Sequence, residues 1–137
     1  MLRQLLIGGL VNFCNIGIHA LVMTIVVAAA RRAGVARTSN PGLRLTGVMI
    51  AAVSVLMGAH TGEVMVWSLA YFIVGAAPEG TNLTYFAFVN YTTLGYGDIT
   101  PNREWLLLGP MTAMNGVLMF GWSTAVIFEV LRKAMKK

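Results

Sequence analysis

Long apolar runs separated by short polar breaks dominate the chain. The first, Leu5 to Ala30, exceeds the roughly 20 residues that a helix needs to cross a hydrocarbon core of about 30 Å, and predicts a transmembrane helix. Arg3 and the small residues Ala28, Ala29 and Ala30 imitate a secretory signal, but the run is long for one and a basic cluster follows it. That cluster holds Arg31, Arg32, Arg37 and Arg44 around the breaker Ser39-Asn40-Pro41-Gly42. A second run, Leu45 to Val74, is long enough to span with tilt and ends at Gly75 and Pro78. Its Trp67, Tyr71 and Phe72 are expected at a membrane interface, which suits aromatic rings. Asn82 to Tyr91 is apolar but only about ten residues long, too short to cross, and predicts a re-entrant helix. Thr81 or Asn82 would cap it, and Tyr85, Phe86 and Phe88 would pack it. After an exposed return at Pro101 to Glu104, a third span runs from Trp105 to Leu131, and Arg132, Lys133, Lys136 and Lys137 follow.

Composition agrees with this pattern. Of 137 residues, 57% are hydrophobic and 11% charged, against about a quarter charged in soluble domains. The chain reads as an all-α membrane protein with three transmembrane helices and one re-entrant helix, leaving no room for a separate sensing domain. The net charge of +5 would suit nucleic acid, but the basic residues abut apolar spans and lack interleaved aromatics. They act instead as topology signals. Both clusters are assigned to the cytoplasmic side, with the N-terminus outside and the C-terminus cytoplasmic. Cys14 stands alone and implies neither a disulfide framework nor a metal cluster.

One stretch states a chemistry, Thr92-Thr93-Leu94-Gly95-Tyr96-Gly97-Asp98. Glycines on either side of Tyr96 allow positive φ, so successive carbonyls can point one way and form a cation site. Non-helical backbone at membrane depth must be buried in protein or line a watery path. The short helix ahead of the loop aims its C-terminus, the negative end of its dipole, at that site. A phosphate-binding loop is the alternative, but no Lys-Ser/Thr pair follows the glycines and the adjoining helix end has the wrong polarity.

A short helix, this heptapeptide and then a spanning helix is the order found in potassium channels, which the chain resembles from about Leu45 to Leu131. The resemblance divides the chain into an additional transmembrane helix with its basic loop, 1–44, and a pore domain, 45–137, with outer helix, pore helix, filter and inner helix. It implies a homotetramer in the lipid bilayer that conducts K⁺ passively. Backbone carbonyls of Thr93, Leu94, Gly95 and Tyr96 would replace the ion's hydration shell. Thr92 would flank the filter inside, and Gly97 and Asp98 would end it outside. Leu94 stands where valine is commoner, behind the filter, and leaves its backbone oxygen in place. K⁺ would be the permeant ion, with no cofactor and no enzymatic chemistry. Glu63 to Trp67 and Gly121 to Ala125 are similar to small bacterial ion channels, implying a bacterial inner membrane. No span carries the regularly spaced arginines of a voltage sensor.

Other polar and small residues lie within the spans. Gly116 and Gly121 would act as a gating hinge or permit close helix packing. If Gly116 faces the pore, Phe120 and Thr124 share its face and line the cavity. Glu129 would form a ring at the cytoplasmic mouth or pair with Arg132 or Lys133, while Glu79 and Asp98 would make the outer mouth negative. His60 and Glu63 share a face near the middle of the second span, where ionisable groups are costly unless paired. Asn12, Asn15 and His19 form a second polar stripe on the first helix. With the two helices antiparallel, His19 comes to the depth of His60, and Asn12 or Asn15 towards Glu63. Structural pairing and proton sensing both remain open there. Neither stripe has a thiolate pair or a recognised metal-ligand spacing.

Overall fold

The computed structural model describes residues 1–32 and 39–135, with side chains through Lys133. Arg37, Lys136 and Lys137 of the basic clusters lie outside the described residues. In chain order come α1 (Leu2–Arg32), α2 (Pro41–Val74), the short α3 (Leu83–Tyr91), a 3₁₀ turn (Arg103–Trp105) and α4 (Leu108–Met135), with no strand among the described residues. Helices α1 and α2, and α4 together with the turn before it, are long and apolar enough to cross a membrane.

Local chemistry sets the ends of these helices. Pro41, expected in a breaker, instead opens α2, because proline's fixed φ and missing N–H suit the first helical turn. Gly75 closes α2 in the left-handed region at φ 64°, its N–H donating to the Phe72 carbonyl, and glycine takes that conformation without a side-chain clash. The Asn82 side chain caps α3 by accepting from the Tyr85 N–H at 3.0 Å. At the start of α4, the free N–H of Leu107 finds its partner on another helix, the Gln4 side-chain oxygen, at 2.8 Å.

Helices α1 and α4 run the same way, and α2 runs against both. One apolar cluster, built on Val64, Trp67, Tyr71, Phe86, Tyr91, Leu108 and Met119, surrounds α3. A second, built on Met23, Val26, Ala52, Leu56, Val126 and Val130, fills the opposite half of the bundle. His19, His60, Glu63 and Ser123 fall between the two clusters along the chain, forming a polar layer. Arg31, Arg32, Arg44, Arg132 and Lys133 all lie at the end away from α3.

Two expectations change. Trp67 and Tyr71 are fully buried, while Phe72 is exposed. The first two face α3 rather than an interface, because each polar tip finds a partner on α4: the Trp67 indole donates to Asn115 Oδ1 at 3.0 Å, and the Tyr71 hydroxyl meets Thr112 Oγ1. The added helix α1 packs more extensively against α4 than against α2. Its buried stripe of Gln4, Gly8, Asn15, His19, Met23, Val26 and Ala30 recurs at helical spacing, and Gly8 lets Met111 of α4 come close.

Gly116 and Gly121 have different surroundings. A Cβ on Gly116 would overlap the Tyr91 carbonyl at the end of α3, whereas one on Gly121 meets nothing within 4 Å. Gly116 is therefore a close-packing position. The Gly116→Ala protein is expected to lose about 1–3 kcal/mol of stability through overpacking, and Gly121→Ala to stay within about 0.5 kcal/mol of the parent. Denaturation of both variants in detergent checks this, and equal stabilities would contradict it.

Candidate functional site

The loop after α3 is hung on the last turn of that helix. Thr92 N–H and its hydroxyl both donate to the Phe88 carbonyl, at 2.9 and 2.7 Å, and Thr93 N–H donates to Asn90 at 3.0 Å. The Val89 carbonyl accepts from Leu94 at 3.0 Å and from Gly95 at 3.4 Å. The amides of residues 92–95 are thus directed back into the helix end.

The backbone then alternates in hand. Thr93, Gly95 and Gly97 have φ of 59°, 58° and 75°, and among the described residues Thr93 is the only non-glycine with positive φ. Leu94 and Tyr96 between them therefore keep the ordinary sign. Alternation of this kind prevents successive peptide groups from pointing in opposite directions, as they do in a strand, and lets carbonyls share one side. A β-branched residue seldom takes positive φ. At Thr93 the two hydrogen bonds anchoring its neighbours, together with its own, hold that conformation in place.

All of residues 92–98 are exposed in the single chain, including Leu94 and Tyr96. The far end of the loop is fixed by Asp98, which accepts from the Tyr85 hydroxyl at 2.7 Å. That bond to the carboxylate holds the Tyr85 phenol above its ordinary range. The return segment is tied to the end of α2, where Asn102 donates to the Ala76 and Gly75 carbonyls at 2.8 and 3.0 Å. Pinned at both ends, the loop rests on α2 and α3.

Behind its inner end lies the polar cluster. Glu63, fully buried, receives His19 Nδ1 at 2.7 Å on one carboxylate oxygen; the other receives His60 Nδ1 at 3.1 Å and the Tyr91 hydroxyl. His60 Nε2 lies 3.0 Å from Ser123 Oγ, and His19 Nε2 3.4 Å from the same oxygen. Asn15 donates to Asn115 Oδ1 at 2.8 Å and to the Glu63 main-chain carbonyl at 3.3 Å. Buried Asn12 Oδ1 has no hydrogen-bond partner and stands apart from this network. One carboxylate therefore joins α1, α2 and α3, and Ser123 extends the connection to α4.

The remaining predicted positions have separate surroundings. Phe120 packs edge-on to His60 and Tyr91, with ring centroids 4.8 and 5.4 Å apart, while Gly121 and Thr124 are exposed on α4. Glu129 pairs along its own helix, with Lys133 Nζ and Arg132 Nε each at 2.7 Å. Tyr91, Ser123 and Asn115 are the functional neighbours that sequence reasoning missed. Thr112, Asn115, Met119 and Ser123 recur at helical spacing, a polar-bearing stripe that could have found two of them.

Residues 59–133, more than half of the chain, match the model of a family described as Ion channel. No curated protein and no solved structure matches the chain. The matched segment takes in the end of α2 with His60 and Glu63, α3, the loop of alternating hand and nearly all of α4, and leaves out α1 with its Asn15 and His19. The chain belongs to the ion channel family.

Proposed function

We propose that four copies of this chain surround a common axis in a membrane and conduct K⁺ passively and selectively through the loop of residues 93–97. The observation that carries this reading is the alternation of positive φ at Thr93, Gly95 and Gly97, on a loop whose Thr93, Leu94 and Gly95 amides are already committed to the end of α3. With those donors turned away, the polar groups left to face an ion are carbonyl oxygens. A ring of such oxygens can replace the hydration shell of K⁺. One loop cannot encircle an ion, and an exposed polar backbone at membrane depth needs protein or water around it. A closed assembly of several copies supplies both.

The exposed face of α4 supports the same arrangement. Met114, Val117, Leu118, Phe120 and Phe128 are open in the single chain, available to neighbouring copies and to a cavity. The basic end of the bundle would face the cytoplasm, so the loop would open outward, with Glu79 and Asp98 raising the local concentration of cations there. Conduction needs no covalent step. The chain contributes backbone oxygens, a scaffold that fixes their spacing and a path across the bilayer.

Purified protein in planar bilayers tests this. With K⁺ on one side and Na⁺ on the other, the reversal potential is expected to correspond to a K⁺ preference of at least about 100-fold, or about 2.7 kcal/mol of discrimination. A reversal potential near zero would identify a weakly selective cation pore, and no current from a folded oligomer would identify a non-conducting subunit.

Two substitutions separate backbone from side chain. Leu94→Val is expected to leave the K⁺ preference within about threefold, below about 0.7 kcal/mol, because the leucine side chain supplies no ion ligand. Gly97→Ala is expected to abolish selective conduction, because φ of 75° strains a residue with a Cβ by about 1–2 kcal/mol. Bi-ionic reversal potentials of the two variants provide the check.

A further inference from the structure

We propose that Glu63, His19, Ser123 and His60 form a binding site for one exchangeable proton, and that this proton governs the charge against which Tyr91 is held. The four side chains make a closed ring. Glu63 Oε1 meets His19 Nδ1 at 2.7 Å, His19 Nε2 meets Ser123 Oγ at 3.4 Å, Ser123 Oγ meets His60 Nε2 at 3.0 Å, and His60 Nδ1 meets Glu63 Oε2 at 3.1 Å. Each contact needs one hydrogen. An ionised carboxylate supplies none, each neutral imidazole supplies one, and the serine hydroxyl supplies one. The ring has four contacts and three hydrogens.

Tyr91 cannot make up the deficit. Its hydroxyl donates to Glu63 Oε2, and turning that proton towards His60 Nδ1, 3.1 Å away, would leave the oxygen–oxygen contact without a hydrogen. Both Nδ1 atoms therefore face oxygen acceptors and carry hydrogen. Both Nε2 atoms then compete for the single proton of Ser123. One added proton completes the ring, either as an imidazolium beside the carboxylate or as a carboxylic acid beside two neutral rings. Either form is electrically neutral as a whole.

Among the described residues, no other charge facing the ring substitutes for this proton. The titratable groups that face it are His19 from α1, His60 and Glu63 from α2, and Tyr91 from α3. From α4 come Ser123 and the rings of Phe120 and Trp122, and among the described residues no lysine or arginine pairs with Glu63. Without the proton, the cluster carries a net negative charge at membrane depth, which is strongly disfavoured. The proton would exchange through His60, whose side chain is 11% exposed in the single chain while His19 and Glu63 are sealed. Tyr91 directly precedes Thr92 and Thr93, so the charge on Glu63 acts on the residue from which the loop departs. This last step rests on the channel reading, whereas the proton site itself does not.

The chain has two histidines, so solid-state NMR of the full chain in lipid bilayers, with ¹⁵N-histidine and ¹³C-glutamate labels, counts the protons on both rings and on the Glu63 carboxyl. At about pH 7, the expected spectrum has either three protonated ring nitrogens beside an ionised Glu63, or two beside a protonated Glu63 carboxyl. Glu63→Gln supplies the missing hydrogen through its amide, so its two rings are expected to be neutral at the same pH. Ser123→Ala opens the ring, and the added proton is expected to bind about ten-fold more weakly or worse, as for loss of a charge-assisted hydrogen bond. Two neutral rings beside an ionised Glu63 carboxylate in the unmodified chain, or a titration that neither substitution moves, would overturn the site. K⁺ flux from liposomes tests the coupling: its pH midpoint is expected to shift with the NMR midpoint in Ser123→Ala, and a fixed flux midpoint would overturn control through Tyr91. The added proton seen by NMR without flux would support the site and count against the channel reading alone.

Discussion

The arrangement of all four helices depends on the buried carboxylate of Glu63. A charge at the middle of a membrane span is costly unless its lone pairs are filled, and here the donors come from two other helices as well as its own. His19 reaches it from α1, His60 from one turn away on α2, and Tyr91 from the end of α3. Removing one partner of such a buried set typically costs about 3–5 kcal/mol, because the charge stays behind. The requirement to satisfy one oxygen pair therefore fixes the depth of α1 and the angle at which α3 ends.

That end is where the loop of alternating hand begins. Tyr91 is held on one side by Glu63 and on the other by the bare backbone of Gly116, which leaves room for the Tyr91 carbonyl. From this clamp the amides of residues 92–95 turn back into α3 and the φ signs alternate. The outer end has a separate clamp, Tyr85 on Asp98. A loop that would be unstable alone at membrane depth is held in shape by contacts spread over three helices. The added helix α1 belongs to this support: its Gln4 completes the start of α4, and its Asn15 and His19 complete the polar layer.

Much of this was legible in the sequence, for identifiable reasons. Lengths of apolar runs decided which helices can cross, since the bilayer sets a minimum length, and Asn82 announced its helix by its capping chemistry. The paired glycines of the loop announced positive φ at 95 and 97. The spacing of Asn15, His19, His60 and Glu63 indicated faces that meet. What could not be read is what depends on three-dimensional crossing. Thr93 takes positive φ because the end of α3 holds it, against its own preference. Trp67 and Tyr71 look like interfacial aromatics until α3 folds back and covers them. Gly116 resembles a hinge in one dimension, and only the approach of Tyr91 identifies it as a contact.

The hydroxyl of Tyr91 on Glu63 holds the inner end of the loop. Amide hydrogen exchange of Thr93, Leu94 and Gly95 in Tyr91→Phe, which keeps the ring and removes the hydroxyl, measures this without reference to conduction. Loss of a hydrogen bond to a charged group is expected to speed exchange at these amides by about ten-fold or more relative to the unmodified protein. Rates unchanged at all three amides in a folded variant would contradict the claim.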